Sequence, residues 1–261
     1  MEEIASFFDQ KPLAGVSYVI IQHWSPDFRT RMAELLARHL ELVIREAENG
    51  ILVEADHVYI IPYDKYMTLQ KGRLLVTDKG REQRPHGTID RFFNSLAADQ
   101  GEKAIGVILS GTGNDGTDGI RSIHQAGGMV IARDPETTEF GGMPASAIAT
   151  GLVDFVAEPE LMPVIIEKYV LQSRTALLDQ NEEMTMQMIL DLIRDNTTFD
   201  FSGYQHATLS RRTRKRAINQ NFSSLADYLS FLKGTPEEMS ALAREFLTGV
   251  TPNYPNQQLR R

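Results

Sequence analysis

The chain contains no cysteine. That excludes disulfides, thiol catalysis and cysteine-based zinc sites, and it is compatible with a reducing compartment. Nor is there an apolar run near the ~20 residues that span a bilayer. The opening Met1-Glu-Glu-Ile-Ala-Ser-Phe-Phe-Asp-Gln10 is acidic. It lacks the basic-then-apolar order of a secretory signal. A cytoplasmic protein with no membrane insertion is expected. A net charge of -8 argues against a general nucleic-acid binder. What is present is ordinary for a globular chain of 261 residues, with 42% hydrophobic and 24% charged residues.

Apolar, β-rich runs occur at Val16 to Gln22, His57 to Pro62, Ala104 to Ser110, Met129 to Arg133 and Val153 to Val156. Amphipathic helical patterns lie between them, at Phe28 to His39, Ile89 to Asp99 and Asp115 to Ala126. Strands alternating with helices predict an α/β fold, a mainly parallel sheet flanked by helices. Lys71-Gly72 and Lys79-Gly80 punctuate a hairpin near Arg73 to Thr77. Beyond Leu161 glycine becomes rare and helical patterns follow at Leu161 to Leu178, Asn181 to Arg194, Leu209 to Asn219, Leu225 to Lys233 and Pro236 to Leu247, which predict a small all-α domain. The expected division is residues 1–172, a linker at 173–183, a helical domain at 184–251 and a tail at 252–261.

Three segments can carry chemistry. In Val19-Ile-Ile-Gln-His23-Trp-Ser-Pro-Asp27 a histidine follows an apolar strand. Ligands of open parallel sheets sit beyond the carboxyl ends of the strands, and histidine there suits a general base. The alternative is a helix-entry residue bonded to a nearby loop. Val107-Ile-Leu-Ser-Gly-Thr-Gly-Asn-Asp115-Gly-Thr-Asp-Gly119 leaves a strand through a glycine-rich turn. Its backbone N–H groups can hold an anion or oxyanion, and Asp115 can orient a histidine. It lacks the Gly-Lys-Ser/Thr ending of a Walker A loop and the ligand ladder of a calcium loop. Asp115 as a plain helix cap competes with the catalytic reading. Asp134-Pro-Glu-Thr-Thr-Glu-Phe-Gly-Gly-Met143-Pro-Ala reads as a surface loop entering a helix at Pro144. Separately, five of the six residues Arg211 to Arg216 are basic. That run is either a surface for an acidic partner or a solvated helix face.

The set IQHWSPDF, HVYIIP, AIGVILSGTGNDGTDGI, AGGMVIARDPETTEFGGMPASAI and TGLVDFV resembles, in order and spacing, the CheB-type chemotaxis receptor methylesterases. FDFSGYQHATLSRRTRKR, SSLADYLSFL and EFLTGVT resemble the amino-terminal helical domain of CheR-type receptor methyltransferases, in the order of CheB/CheR fusion proteins. The resemblance implies hydrolysis of glutamate methyl esters on chemoreceptor helices. His23 matches the base, Asp115 the aspartate that orients it, and the Thr112 backbone N–H one oxyanion donor. Arg211, Arg212, Arg214, Lys215 and Arg216 would face acidic receptor segments. No cofactor and no metal are implied. The family's nucleophile lies in a Gly-Ala-Ser-x-Gly-Gly turn ahead of the helix that Met1 to Phe8 resembles. Ser6, Ser17 and Ser25 do not match it, so impaired hydrolysis and a missing first strand are expected, with a non-catalytic receptor-binding module as the alternative. Methyl transfer is not expected, because no glycine-rich S-adenosylmethionine loop follows Thr251, and phosphorylation control is not expected, because the sequence shows no receiver domain.

Overall fold

A computed structural model describes residues 2–9, 13–22, 42–80, 87–178, 180–197, 201 and 206–247. The expected helix at Phe28 to His39, the tail at 252–261 and His23 lie outside these residues. In the amino-terminal part the described elements are α1 (Glu2–Phe7), β1 (Tyr18–Ile20), β2 (Val43–Glu46), β3 (Ile51–Leu52), β4 (His57–Ile60), β5 (Lys65–Gln70), β6 (Arg73–Asp78) and α2 (Thr88–Gln100). They continue with β7 (Ile105–Ile108), α3 (Thr117–Gln125), β8 (Met129–Arg133), α4 (Gly142–Ala149) and β9 (Phe155–Ala157). Five described helices follow: α5 (Met162–Leu178), α6 (Gln180–Asn196), α7 (His206–Asn219), α8 (Leu225–Gly234) and α9 (Pro236–Leu247).

The described strands form three sheets of three, in the orders β1-β4-β2, β3-β6-β5 and β7-β8-β9. The first and last are parallel throughout, and the middle one is antiparallel. An α/β architecture with parallel sheets flanked by helices, followed by a helical region, is thus present. Side-chain alternation along the parallel strands builds two cores, one on each face. Tyr59 and Ile61 of the β4 segment join Val130 and Ala132 of β8 in one core. Val58 and Ile60 join Met129 and Ile131 in the other.

The β5–β6 hairpin turns at Lys71-Gly72, both at positive φ, 51° and 70° respectively. A two-residue hairpin with the native twist requires that conformation at both central positions. Asp99 of α2 accepts both turn N–H groups, Gly72 at 3.1 Å. The predicted hairpin is therefore present, with a partner strand, β5, that the sequence pattern did not separate. β2 and β3 are two further strands that the pattern missed.

The helical region has its own core around Ile189, Ile193, Tyr228, Leu232, Leu242 and Phe246. It is also tied to the α/β part, since Ile218 of α7 packs in the core that holds Met129 and Ile131. The expected linker at 173–183 falls where α5, ending at Leu178, gives way to α6, beginning at Gln180.

Candidate functional site

β7 ends at Ile108, and the chain turns through Ser110 to Gly116 before α3. Gly116 has φ of 93°, and a Cβ there would lie 2.7 Å from Ile108 Cδ1. Both conformation and space therefore demand glycine. This turn carries Asp115 inward to 7% exposure. Its Oδ2 accepts the N–H of Ile89 at 3.2 Å and its Oδ1 that of Asp90 at 3.1 Å. These are first-turn donors of α2, groups that a helix cannot satisfy internally. The N-cap of α2, Gly87, has no capping side chain of its own. Asp115 therefore caps a neighbouring helix rather than its own, and an anion at that positive helix end is favoured. The exchange is reciprocal: Asp90 Oδ1 accepts the N–H of Gly119 in α3 at 2.7 Å. Burial pushes the Asp90 carboxyl above the usual range, Asp115 and Asp118 add to the shift, and the Gly119 bond opposes it.

The turn is clipped to the Thr138–Met143 loop. Gly111 donates its N–H to Phe140 O at 2.8 Å, and its carbonyl accepts the N–H of Met143 at 2.9 Å. Ser146 Oγ donates to Gly113 O at 3.3 Å. Thr112, the expected oxyanion donor, sits between these anchors on the exposed side of the turn. Glu3 of α1 ties the same region from the other side: it accepts the Ser110 N–H at 3.0 Å and the Thr138 hydroxyl at 3.2 Å, and pairs with Arg133. Sequence reasoning did not single out Glu3, Arg133 or Asp90. Glu3 and Arg133 lie in otherwise ordinary helix and strand patterns, and only their partners distinguish them.

Helix α1 touches both this turn and β1. Its first residues meet Ser110, at the carboxyl end of β7, and its last, Phe7 with Phe8, stack edge-on with Tyr18 at the amino end of β1. His23 follows Gln22 and lies outside the described residues. Among the described residues no three His, Asp or Glu side chains gather to hold a metal ion.

The α/β part matches the family described as CheB methylesterase over residues 1–166. The chain belongs to that family. Residues 184–247 match the CheR methyltransferase all-alpha domain. The crystal structure of the Thermotoga maritima CheB methylesterase catalytic domain superposes with a TM-score of 0.54 at 32% identity, covering 63% of this chain and 90% of that one. A protein-glutamate methylesterase/protein-glutamine glutaminase of Salmonella typhi is 35% identical over 161 residues, 60% of this chain and 46% of that protein. An uncharacterized 104.1 kDa protein of Rhodobacter capsulatus is 32% identical over 246 residues, which are 84% of this chain and 26% of that protein. The chain thus spans between about a quarter and about half of these curated relatives' lengths.

The basic run of α7 does not form the expected open surface. Arg211 and Arg212 are buried at 3% and 4% exposure. Arg211 pairs with Asp154, just before β9, and reaches His124 of α3. Arg212 donates to the carbonyls of Glu245 and Phe246 at 2.6 and 2.7 Å. It thereby satisfies the carboxyl end of α9, whose last carbonyls have no partner within the helix. Arg214 lies 3.5 Å from Glu182 and 3.8 Å from Glu102. Lys215 pairs with Glu245 at 3.0 Å. Arg216 makes a two-pronged contact with Glu238 at 2.6 and 2.9 Å. Acidic side chains distant in sequence take up the cations, something a linear charge pattern does not report. Burial, and then Arg211, Arg212 and Lys215, push the His124 imidazole down to about 3.

Proposed function

We propose that residues 1–166 are a protein-glutamate methylesterase module of a cytoplasmic receptor-adaptation system, with methylated chemoreceptor helices as substrate. In this reading His23 is the general base, Asp115 orients it and stabilises its cationic form, and the Thr112 N–H helps hold the oxyanion of the tetrahedral intermediate. The observation that carries it is the buried Asp115 carboxylate, held by two backbone N–H groups in the turn that follows β7. A serine hydroxyl would add to the ester carbonyl, methanol would leave with the proton taken by His23, and water would release the glutamate. No serine of the 261 residues lies in a Gly-Ala-Ser-x-Gly-Gly turn. We therefore expect the 261-residue chain to hydrolyse such esters only at the residual rate left by binding and the oxyanion site.

The test is methanol release from methylated receptor fragments by two proteins: this chain, and a version carrying a Gly-Ala-Ser-Ala-Gly-Gly turn with an apolar strand before Met1. The extended version should turn over, and His23→Ala or Asp115→Asn in it should cost roughly 10³- to 10⁴-fold. Turnover insensitive to both substitutions sinks the assignment; turnover by the shorter chain sinks the claim of impairment. A purely receptor-binding module using α7 is disfavoured by the burial of Arg211 and Arg212.

A further inference from the structure

Helices α2 and α3 begin in the same way. Each follows a glycine in the left-handed region, Gly87 at φ of 108° and Gly116 at 93°, and neither glycine has a side chain to cap with. Each helix takes its cap from the other segment. Asp115 accepts the N–H groups of Ile89 and Asp90, the second and third residues of α2. Asp90 accepts that of Gly119, the third residue of α3. The two starts are in contact. A Cβ on Gly119 would lie 3.1 Å from Asp90 Cα, and one on Gly116 would lie 3.0 Å from Ile89 Cγ2. Each helix also opens with a threonine, Thr88 in α2 and Thr117 in α3. Both hydroxyl oxygens are buried without a hydrogen-bond partner among the described residues.

Thr88 is 1% exposed, so solvent does not serve its hydroxyl. A hydroxyl sealed from water with nothing to donate to is disfavoured, and folded proteins seldom keep one. Side chains of a helix lean toward its amino end. In α2 that is the end that Asp115 covers. Thr88 also precedes Ile89 directly, whose N–H goes to Asp115 Oδ2 at 3.2 Å. A carboxylate offers about four acceptor positions, more than two N–H groups occupy. Threonine in a helix has two χ1 wells open to it, so the hydroxyl reaches a new partner by rotation with the backbone unmoved.

We infer that Thr88 is a positioning residue for Asp115, its hydroxyl donating to Oδ2 beside the Ile89 N–H. The inference rests on the hydrolytic reading for its purpose, though not for its geometry. A third donor fixes the rotation of the carboxylate and favours its charged form. Those are the two properties by which Asp115 would orient the His23 ring and stabilise its cation. Thr88 acts through Asp115 alone. Thr117 holds the corresponding place in α3, whose cap is Asp90, and so supplies a control of the same chemistry.

The experiment uses the whole chain with isotope-labelled aspartate and follows the Asp115 carboxyl resonance against pH by NMR. Asp90, its charged neighbour, is followed in the same spectra. Thr88→Val keeps the side-chain shape and removes the hydroxyl. It should raise the Asp115 midpoint by about one to two pH units, because a hydrogen bond to the charged form is lost. Thr88→Ser restores a hydroxyl and should return the midpoint to the parent value. Thr117→Val should leave the Asp115 midpoint in place. In the parent the Thr88 hydroxyl proton should exchange slowly enough to be observed, a reading that needs no substitution. An Asp115 midpoint unmoved by Thr88→Val overturns the inference, as does a Thr88 hydroxyl proton in fast exchange in the parent. So does a rise that Thr88→Ser fails to reverse, or an equal rise in Thr117→Val, which would mean a general loosening of the helix starts. None of these readings requires turnover. Failure of the hydrolytic reading would show instead as turnover in the extended protein that survives Asp115→Asn.

Discussion

Asp154→Ala is the sharpest test of how the two parts of the chain are joined. The Arg211–Asp154 pair is 4% exposed at both side chains and links α7 to the segment before β9. Removing the carboxylate strands a guanidinium in the interior. The neighbouring His124 cannot compensate, because it is held neutral, and the Arg211 Nε is already without a partner among the described residues. Breaking a buried pair from one side costs about 3–5 kcal/mol, against about 0–1 kcal/mol for a surface pair. Asp154→Ala also loses the bond from the Val130 N–H at 2.9 Å. Arg211→Met should cost a similar amount, because it leaves Asp154 charged and buried. The double variant removes both charges, so the single costs should not add. The Val130 loss enters both Asp154 variants and cancels in the cycle, isolating a coupling of about 2–3 kcal/mol. Urea unfolding followed by far-UV circular dichroism measures all four proteins. Single costs below about 1 kcal/mol, or costs that simply add, would refute a desolvated pair and mean that the domains meet through solvent.

Three other outcomes follow from the same physics. His124 has a folded-state pKa lowered from 6.5 to about 3, so the unfolded chain binds the extra proton between those values. Its contribution is present above pH 6.5 and is lost as pH falls toward 3. Comparing the pH slope of stability for His124→Gln with that of the parent isolates it from the carboxylates, and the variant should be less acid-sensitive across that window; an unchanged slope refutes the buried neutral imidazole. At Gly111 an added Cβ would collide with the Met143 sulfur. Gly111→Ala should cost about 1–3 kcal/mol through overpacking, and Met143→Ala should rescue part of it; thermal melts of both variants decide. Glu238 is the shared acceptor of Arg216, Tyr228 and Gln220. Glu238→Ala should therefore cost about 3–5 kcal/mol. A loss under about 1 kcal/mol in urea melts would show that the network is solvated.

Much of the scaffold was legible before any coordinates. β8 and α9 coincide with the stretches read from apolar runs and helical spacing, at Met129–Arg133 and Pro236–Leu247. A strand buried on both faces and an amphipathic helix each carry their burial in local pattern. β2 escaped because Val43, Arg45 and Glu46 are exposed, so its pairing with β4 leaves no apolar alternation. The glycine-rich turn was legible too, since positive φ restricts residue choice at the position itself.

Asp115 shows where that legibility stops. The sequence determined that an aspartate would stand in a tight turn at the end of a buried strand. Which helix it caps was decided by α2 packing beside the turn, with Asp90 and Asp115 25 residues apart in sequence. The basic run of α7 is the stronger case. Its charges are local and visible, but Asp154, Glu182, Glu238 and Glu245 meet them only after the chain has folded back on itself. Propensity and periodicity act over a few residues, and desolvation and ion pairing act across space. The sequence by itself therefore determined the helices and the buried strands and their order, but not β2, β3 or β5. The tertiary structure alone decided which polar groups are buried together.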